Sequence, residues 1–198
     1  MQTVYSITAA SAEPVTLQEA CDWLKLNLGD DDDVVRALIS AAREYAESAT
    51  SRQLLSKTVT EYWDTFPGLY SGWDNYNYRV IYLGAMNLNS ATLTLSYLAA
   101  TGGAYTVFAS SNYDVDIVST PARIVLHANA SWPSAALEAN AVKAVYTVGS
   151  ATPTDVLASI KVAMRLLIAF WYENREDMAI KAGVRSADAL LSKCRISF

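Results

Sequence analysis

The sequence predicts an α+β fold: an N-terminal helical hairpin and a long C-terminal helix forming a helical core, an inserted antiparallel β-sheet or barrel, and a C-terminal arm. Three observations carry that prediction. Apolar side chains recur at helical spacing through residues 13–50 and again after residue 152. Between them, residues 56–149 break into short β-branched and aromatic runs separated by turn signals. With 52% of 198 residues apolar and 18% charged, the chain can bury a sizeable core and does not read as disordered. The expected boundaries are a hairpin over 1–55, a β region over 56–150, a helix over 151–178 packing on the hairpin, and an arm over 179–198.

The hairpin opens on Thr16-Leu17-Gln18-Glu19, a capping box in which the Thr hydroxyl accepts the third amide and the Glu reaches back to the Thr amide. Leu17, Ala20, Cys21, Leu24 and Leu28 follow at helical spacing, and Gly29 is the expected stop. Asp30, Asp31, Asp32 and Asp33 then place negative charge at the start of a second helix, where it offsets the macrodipole. Val35, Leu38, Ile39, Ala42, Tyr45, Ala46 and Ala49 form that helix's apolar face. A calcium loop is disfavoured. Counting from Asp30, Asp31 or Asp32 puts Ala41, Ala42 or Arg43 at the twelfth position, and counting from Asp33 puts Val35 and Ala37 where ligands belong.

Seven strands are expected, over 57–63, 79–83, 91–98, 105–109, 114–118, 123–128 and 141–148, with Thr101-Gly102-Gly103 as a hairpin turn and Trp132-Pro133 as a break. Between the first two lies an aromatic loop bearing Tyr70, Trp73, Tyr76 and Tyr78 among Gly, Ser, Asn and Asp, a composition suited to packing over the sheet or to a contact surface. Thr152-Pro153-Thr154-Asp155 signals the start of a helix expected to run to about Asp177. It is apolar on most of its circumference, as befits a helix buried on several sides. The last stretch, ending Arg195-Ile196-Ser197-Phe198, reads as an arm.

Charge is unevenly spread. Residues 1–50 hold nine acids against three bases, net −6, and the remainder eleven acids against twelve bases, net +1. Lys181, Arg185, Lys193 and Arg195 face only Asp188 in the last twenty residues. An acidic front and a basic tail lack the dense cationic patch that grips a nucleic-acid backbone, and suit subunits that meet through complementary charge. No secretion signal is expected from residues 1–12, and the most apolar stretch, 162–172, contains Arg165 and is too short for a bilayer. Cys21 and Cys194 are the two cysteines; they offer no metal-ligand spacing and are expected as reduced thiols.

Chemistry-bearing patterns are scarce. His127 is the one histidine and sits in an expected strand, where a structural role outweighs acid–base work. Asp114 and Asp116 share a strand face, a carboxylate pair better read as a solvated surface than as glycosidase machinery. No nucleophile elbow, phosphate loop, dinucleotide fingerprint or zinc spacing occurs. No catalytic residue, cofactor or metal is expected.

The order of local signals is more specific than any one of them. Pro14-Val15-Thr16-Leu17-Gln18-Glu19-Ala20, Asp31-Asp32-Asp33 and Leu38-Ile39-Ser40-Ala41-Ala42-Arg43-Glu44-Tyr45 open the set. Phe66-Pro67, Tyr113-Asp114-Val115-Asp116, Pro121-Ala122-Arg123-Ile124, Trp132-Pro133, Val145-Tyr146-Thr147-Val148-Gly149, Tyr172-Glu173-Asn174-Arg175-Glu176 and Leu190-Leu191 with Arg195 continue it. Together they resemble the gp6-like (gp8-type) head–tail connector, or adaptor, family of tailed bacteriophages, across nearly the whole chain. The chain departs from that pattern at Ile81-Tyr82-Leu83-Gly84 and Thr50-Ser51-Arg52.

The resemblance implies a non-enzymatic ring of twelve copies in the neck of a phage or gene-transfer particle, assembled in the bacterial cytoplasm. Its partners would be sister copies, the portal protein and a downstream stopper or tail protein, with DNA passing through the channel without specific binding and no membrane. On that reading Arg185, Leu190, Leu191, Arg195, Ile196 and Phe198 would dock on the portal. Tyr70, Trp73, Tyr76 and Tyr78 would meet a neighbour or the tail, and Asp30, Asp31, Asp32 and Asp33 would face the channel. The rivals are a stopper or tail-terminator ring, and a carbohydrate-binding β module using the aromatic loop.

Overall fold

A computed structural model describes residues 4–7, 12–67, 78–84, 88–174 and 181–195. In chain order the elements are β1 (Val4–Ile7), α1 (Leu17–Leu24), α2 (Asp32–Thr50), β2 (Lys57–Trp63), β3 (Val80–Tyr82), β4 (Leu88–Leu98), β5 (Tyr105–Val107), β6 (Tyr113–Asp116), β7 (Arg123–Leu126), β8 (Val142–Val148), α3 (Ala158–Glu173) and α4 (Lys181–Leu191). The fold is mixed α+β. It divides into a β unit, β1 with Lys57–Val148, and a helical unit, drawn from Ala10–Ser56 and Gly149–Ser197.

In the helical unit the capping box forms as its spacing requires. The Thr16 amide donates to Glu19 Oε2 at 2.8 Å and the Glu19 amide to Thr16 Oγ1 at 3.2 Å. The expected stop at Gly29 comes four residues early. Lys25 adopts left-handed φ of 59° and its amide turns back to Cys21 and Asp22, so α1 ends at Leu24 and Leu28 is 54% exposed rather than on a helix face. On α2 the expected stripe is buried at Val35, Leu38, Ile39, Ala42 and Ala46.

The long helix also differs from expectation. Thr152 and Asp155 form their box around a single 3-10 turn, the chain extends through Val156 and Leu157, and α3 starts only at Ala158. Its Ile160, Ala163, Met164, Leu167, Ile168 and Trp171 are buried. Residues 181–191 are not a free arm but a fourth helix. Ala187 (0% exposed), Leu191 (1%) and Cys194 (9%) enter the same core as α2 and α3. An amphipathic helix beside an apolar surface removes more area from water by folding back than by projecting.

In the β unit, five antiparallel strands run in the order β1-β2-β8-β4-β5 and three more in the order β3-β7-β6. Of the sheet or barrel expected, the open sheet is what forms, with β1 and β5 as the edges of the larger one. β2 and β8 alternate buried and half-exposed residues, and Val59, Trp63, Val142, Ala144, Tyr146 and Val148 share one core with Ile81, Leu93, Leu95 and Ile124. β1, absent from the sequence expectation, pairs Val4 with Tyr62 and Ile7 with Val59. The expected glycine turn joins β4 to β5, with the Gly103 amide donating to the Ala100 carbonyl at 3.0 Å and Gly102 at φ 68°.

Candidate functional site

The acidic turn is partly committed to the fold. Asp31 Oδ2 accepts the Tyr172 hydroxyl of α3 at 2.6 Å, and Asp32 Oδ1 accepts the Gly29 amide at 2.8 Å. Asp30 and Asp33 are exposed. Asp30 Oδ2 accepts from the Asn27 side-chain amide at 3.4 Å.

Of the residues expected to dock on the portal, Arg185 and Arg195 are exposed and Leu190 is half-buried, whereas Leu191 is sealed in the helical core and is no free anchor. Ile196 and Phe198 lie outside the described residues. Three hydrogen bonds hold this segment down: the Tyr45 hydroxyl donates to Asp188 Oδ1 at 2.8 Å, Arg52 Nε donates to the Cys194 carbonyl at 2.8 Å, and Ser159 Oγ lies 3.2 Å from Cys194 Sγ. Burial and the Asp188 carboxylate push the Tyr45 phenol up to about 12.

Tyr70, Trp73 and Tyr76 of the aromatic loop also lie outside the described residues. Tyr78 is 47% exposed, its carbonyl accepts the Trp132 indole N–H at 2.6 Å, and the Arg79 guanidinium lies 5.6 Å from its ring centre. Trp132 in turn stacks on Phe66 at 5.0 Å, so this end of the loop is anchored on the β core.

Asp114, Asp116 and His127 each have polar partners. Asp116 accepts from the Ser119 hydroxyl at 2.7 Å, the Ser119 amide and Arg123 Nε at 2.9 Å, which together hold its carboxyl well below the usual range. Asp114 Oδ2 lies 3.0 Å from His127 Nε2 on an exposed surface, and His127 Nδ1 faces the Ser111 carbonyl at 3.0 Å. Among the described residues no three His, Cys, Asp or Glu gather to hold a metal, and no helix is long and apolar enough to cross a membrane. Both cysteines are buried free thiols. An open groove of about 420 Å³ between the segment before α1, α2 and Pro153 is mostly apolar, and its one carboxylate, Glu13, is bound to Arg43 at 2.9 Å.

Sequence reasoning missed Glu61. It sits in β2 at 1% exposure, accepting the Tyr146 hydroxyl at 2.7 Å and the Gly84 amide at 3.2 Å, and burial pushes its carboxyl up. The inward phase of β2, where Glu61 falls between Val59 and Trp63, was the available signal.

Large apolar side chains are exposed on each unit: Trp23 and Leu28 on the helical unit and Tyr82, Val107, Val118 and Leu137 on the β unit are between 45% and 92% exposed.

No family model and no curated protein matches the chain. Its fold is nonetheless found in solved particle structures. A chain from the neck of an empty gene transfer agent particle, computed with C6 symmetry, is similar at TM-score 0.70 and 19% identity, covering 100% of this chain and 97% of that one. One from the virion of a native gene transfer agent particle is similar at TM-score 0.70 and 21% identity, with the same coverage. A third, from the neck of a native particle computed with C12 symmetry, is similar at TM-score 0.61 and 22% identity, covering 98% and 96%. Identity this low speaks for shared fold, and the sharing extends over the whole length of both chains.

Proposed function

We propose that the chain is a structural subunit of the neck of a phage or gene-transfer particle, acting as the adaptor ring between portal and tail through which the genome passes. The observation that carries this reading is the whole-chain likeness to chains of gene transfer agent necks and virions, rather than likeness over one unit. The C6 and C12 symmetries of those necks support a ring of twelve copies. A ring requires each subunit to present two different, mutually complementary faces, and the exposed apolar side chains supply material for them.

For the portal contact, exposed Arg185, half-buried Leu190 and the residues from Ile196 onward are the candidates, with Leu191 removed by its burial. Tyr78 and its loop are the candidate for the contact with a neighbour or the tail. The test is removal of the chain from the producing cell. Filled heads lacking tails are expected, with tails restored on re-expression and a reconstruction placing the chain directly beneath the portal. Normal tailed, transfer-competent particles without it refute the proposal. Density one ring further down replaces adaptor with stopper.

A further inference from the structure

The helical unit carries opposite charge at its two ends. At one end the last turn of α1, the turn beyond it and the start of α2 bring together five acids, Asp22, Asp30, Asp31, Asp32 and Asp33, against the exposed cations Lys25 and Arg36; Asp22, Asp30 and Asp33 are exposed and in no ion pair. Trp23 (45% exposed) and Leu28 (54%) stand among them. The field of this end reaches the buried Cys21 thiol, which burial and the carboxylates of Asp32, Asp22 and Asp30 push up, with Arg36 opposing.

The other end is fixed by Arg52, just past α2, whose side chain holds the Cys194 carbonyl, and by Ser159 Oγ, 3.2 Å from Cys194 Sγ. There Lys193 and Arg195 are exposed without an ion pair, and Leu157 is 49% exposed. The length of α2, 19 residues, separates the two ends by about 28 Å. That is about three Debye lengths at physiological salt, so the two charges do not satisfy each other within one copy.

We propose that they do so between copies: the acidic end of one chain seats on the basic end of the next, with Asp30 and Asp33 facing Lys193 and Arg195 and with Trp23 and Leu28 packed toward Leu157. The acids alone specify no partner. The matching cations on the same chain, each end flanked by exposed apolar side chains, single out a second copy. Two different patches in contact make a heterologous interface, the type that closes into a ring. The inference rests on the ring reading above. It turns Asp30 and Asp33 toward a neighbour rather than the channel, and leaves the portal contact to Arg185 and the residues beyond Arg195.

The experiment is sedimentation velocity of the full chain across a salt series, alone and with heads lacking it. Wild type is expected to associate and to come apart as salt rises. Asp30→Lys/Asp33→Lys and Lys193→Glu/Arg195→Glu should each associate about tenfold more weakly or worse, since attraction becomes repulsion at every contact. An equimolar mixture of the two should recover, because both kinds of contact between them are again opposite in sign. Melting curves report whether each variant folds, and the milder Asp30→Asn/Asp33→Asn gives an intermediate loss should the reversal unfold. Wild-type assembly by both reversed variants overturns the end-to-end contact while the ring reading stands. A wild-type chain that stays monomeric even with heads present overturns the ring reading itself.

Discussion

Replacing Leu191 by Ala separates a C-terminal segment that hangs free from one that belongs to the core. Leu191 is 1% exposed and lies in the cluster formed with Ile160, Met164, Leu167 and Trp171 of α3 and Leu38 and Ala42 of α2. Truncation removes three buried carbon atoms and leaves a cavity in a close-packed interior, a loss of about 2–5 kcal/mol. Against a net stability of about 5–15 kcal/mol, that is a large share. At about 2–4 °C per kcal/mol for a chain of this size, a central loss of about 3 kcal/mol lowers the melting point by about 6–12 °C.

The assay is thermal melting followed by far-ultraviolet helical signal, with Arg185→Ala as the control. Arg185 is exposed and makes no ion pair, so its replacement should move the melting point by about 1 °C or less. A Leu191→Ala chain that melts with wild type refutes the placement of α4 in the core. By the same reasoning, deletion of residues 185–198 takes Ala187, Leu191 and Cys194 out of the core and should destabilise the helical unit, so loss of portal binding by that deletion would not identify a docking arm.

Gly149→Ala should be more damaging than its size suggests. Gly149 sits at φ 85°, and an added Cβ would lie 2.2 Å from the Leu55 carbonyl oxygen, a backbone atom that cannot swing aside. A loss of about 3 kcal/mol or more in urea unfolding is expected from left-handed strain and forced displacement, and a loss below about 1 kcal/mol contradicts the geometry. Glu61 has its folded value raised above its ordinary 4.5 by burial, so it favours the fold at low pH, and that contribution is lost as pH rises from 4.5 through the raised folded value. Glu61→Gln should therefore flatten the fall in stability over that range and leave neutral-pH stability equal or higher; a steeper fall would show the carboxylate form to be the one the site prefers. Thr16→Ala, which removes one half of the α1 capping box, should cost about 1 kcal/mol, measurable as a shift in the urea midpoint, and an unchanged midpoint would show that Glu19 and Arg165 hold that end without it.

The elements of this chain were largely legible as a string of residues because the signals that make them are local. The Thr16 box, the stripe from Val35 to Ala46 and the alternation through β2 and β8 each follow from spacing within one segment, where neighbours three, four or two residues apart share a face. Helix boundaries failed where single residues overrode periodicity, as at Lys25, whose left-handed turn ended α1 early, and at Val156 and Leu157, which delayed α3.

Only the tertiary structure decided what depends on distant partners. β1 exists because β2 offers it an edge, and α4 is core rather than arm because α3 leaves an apolar face beside it. Glu61 is buried because its strand turns that side inward, and Asp31 and Asp32 are spoken for by a hydroxyl 141 residues away and by an amide three residues back. Periodicity along the chain says which face of a segment avoids water. It does not say which other segment covers that face, because burial is a property of two surfaces and the sequence of one carries half of it.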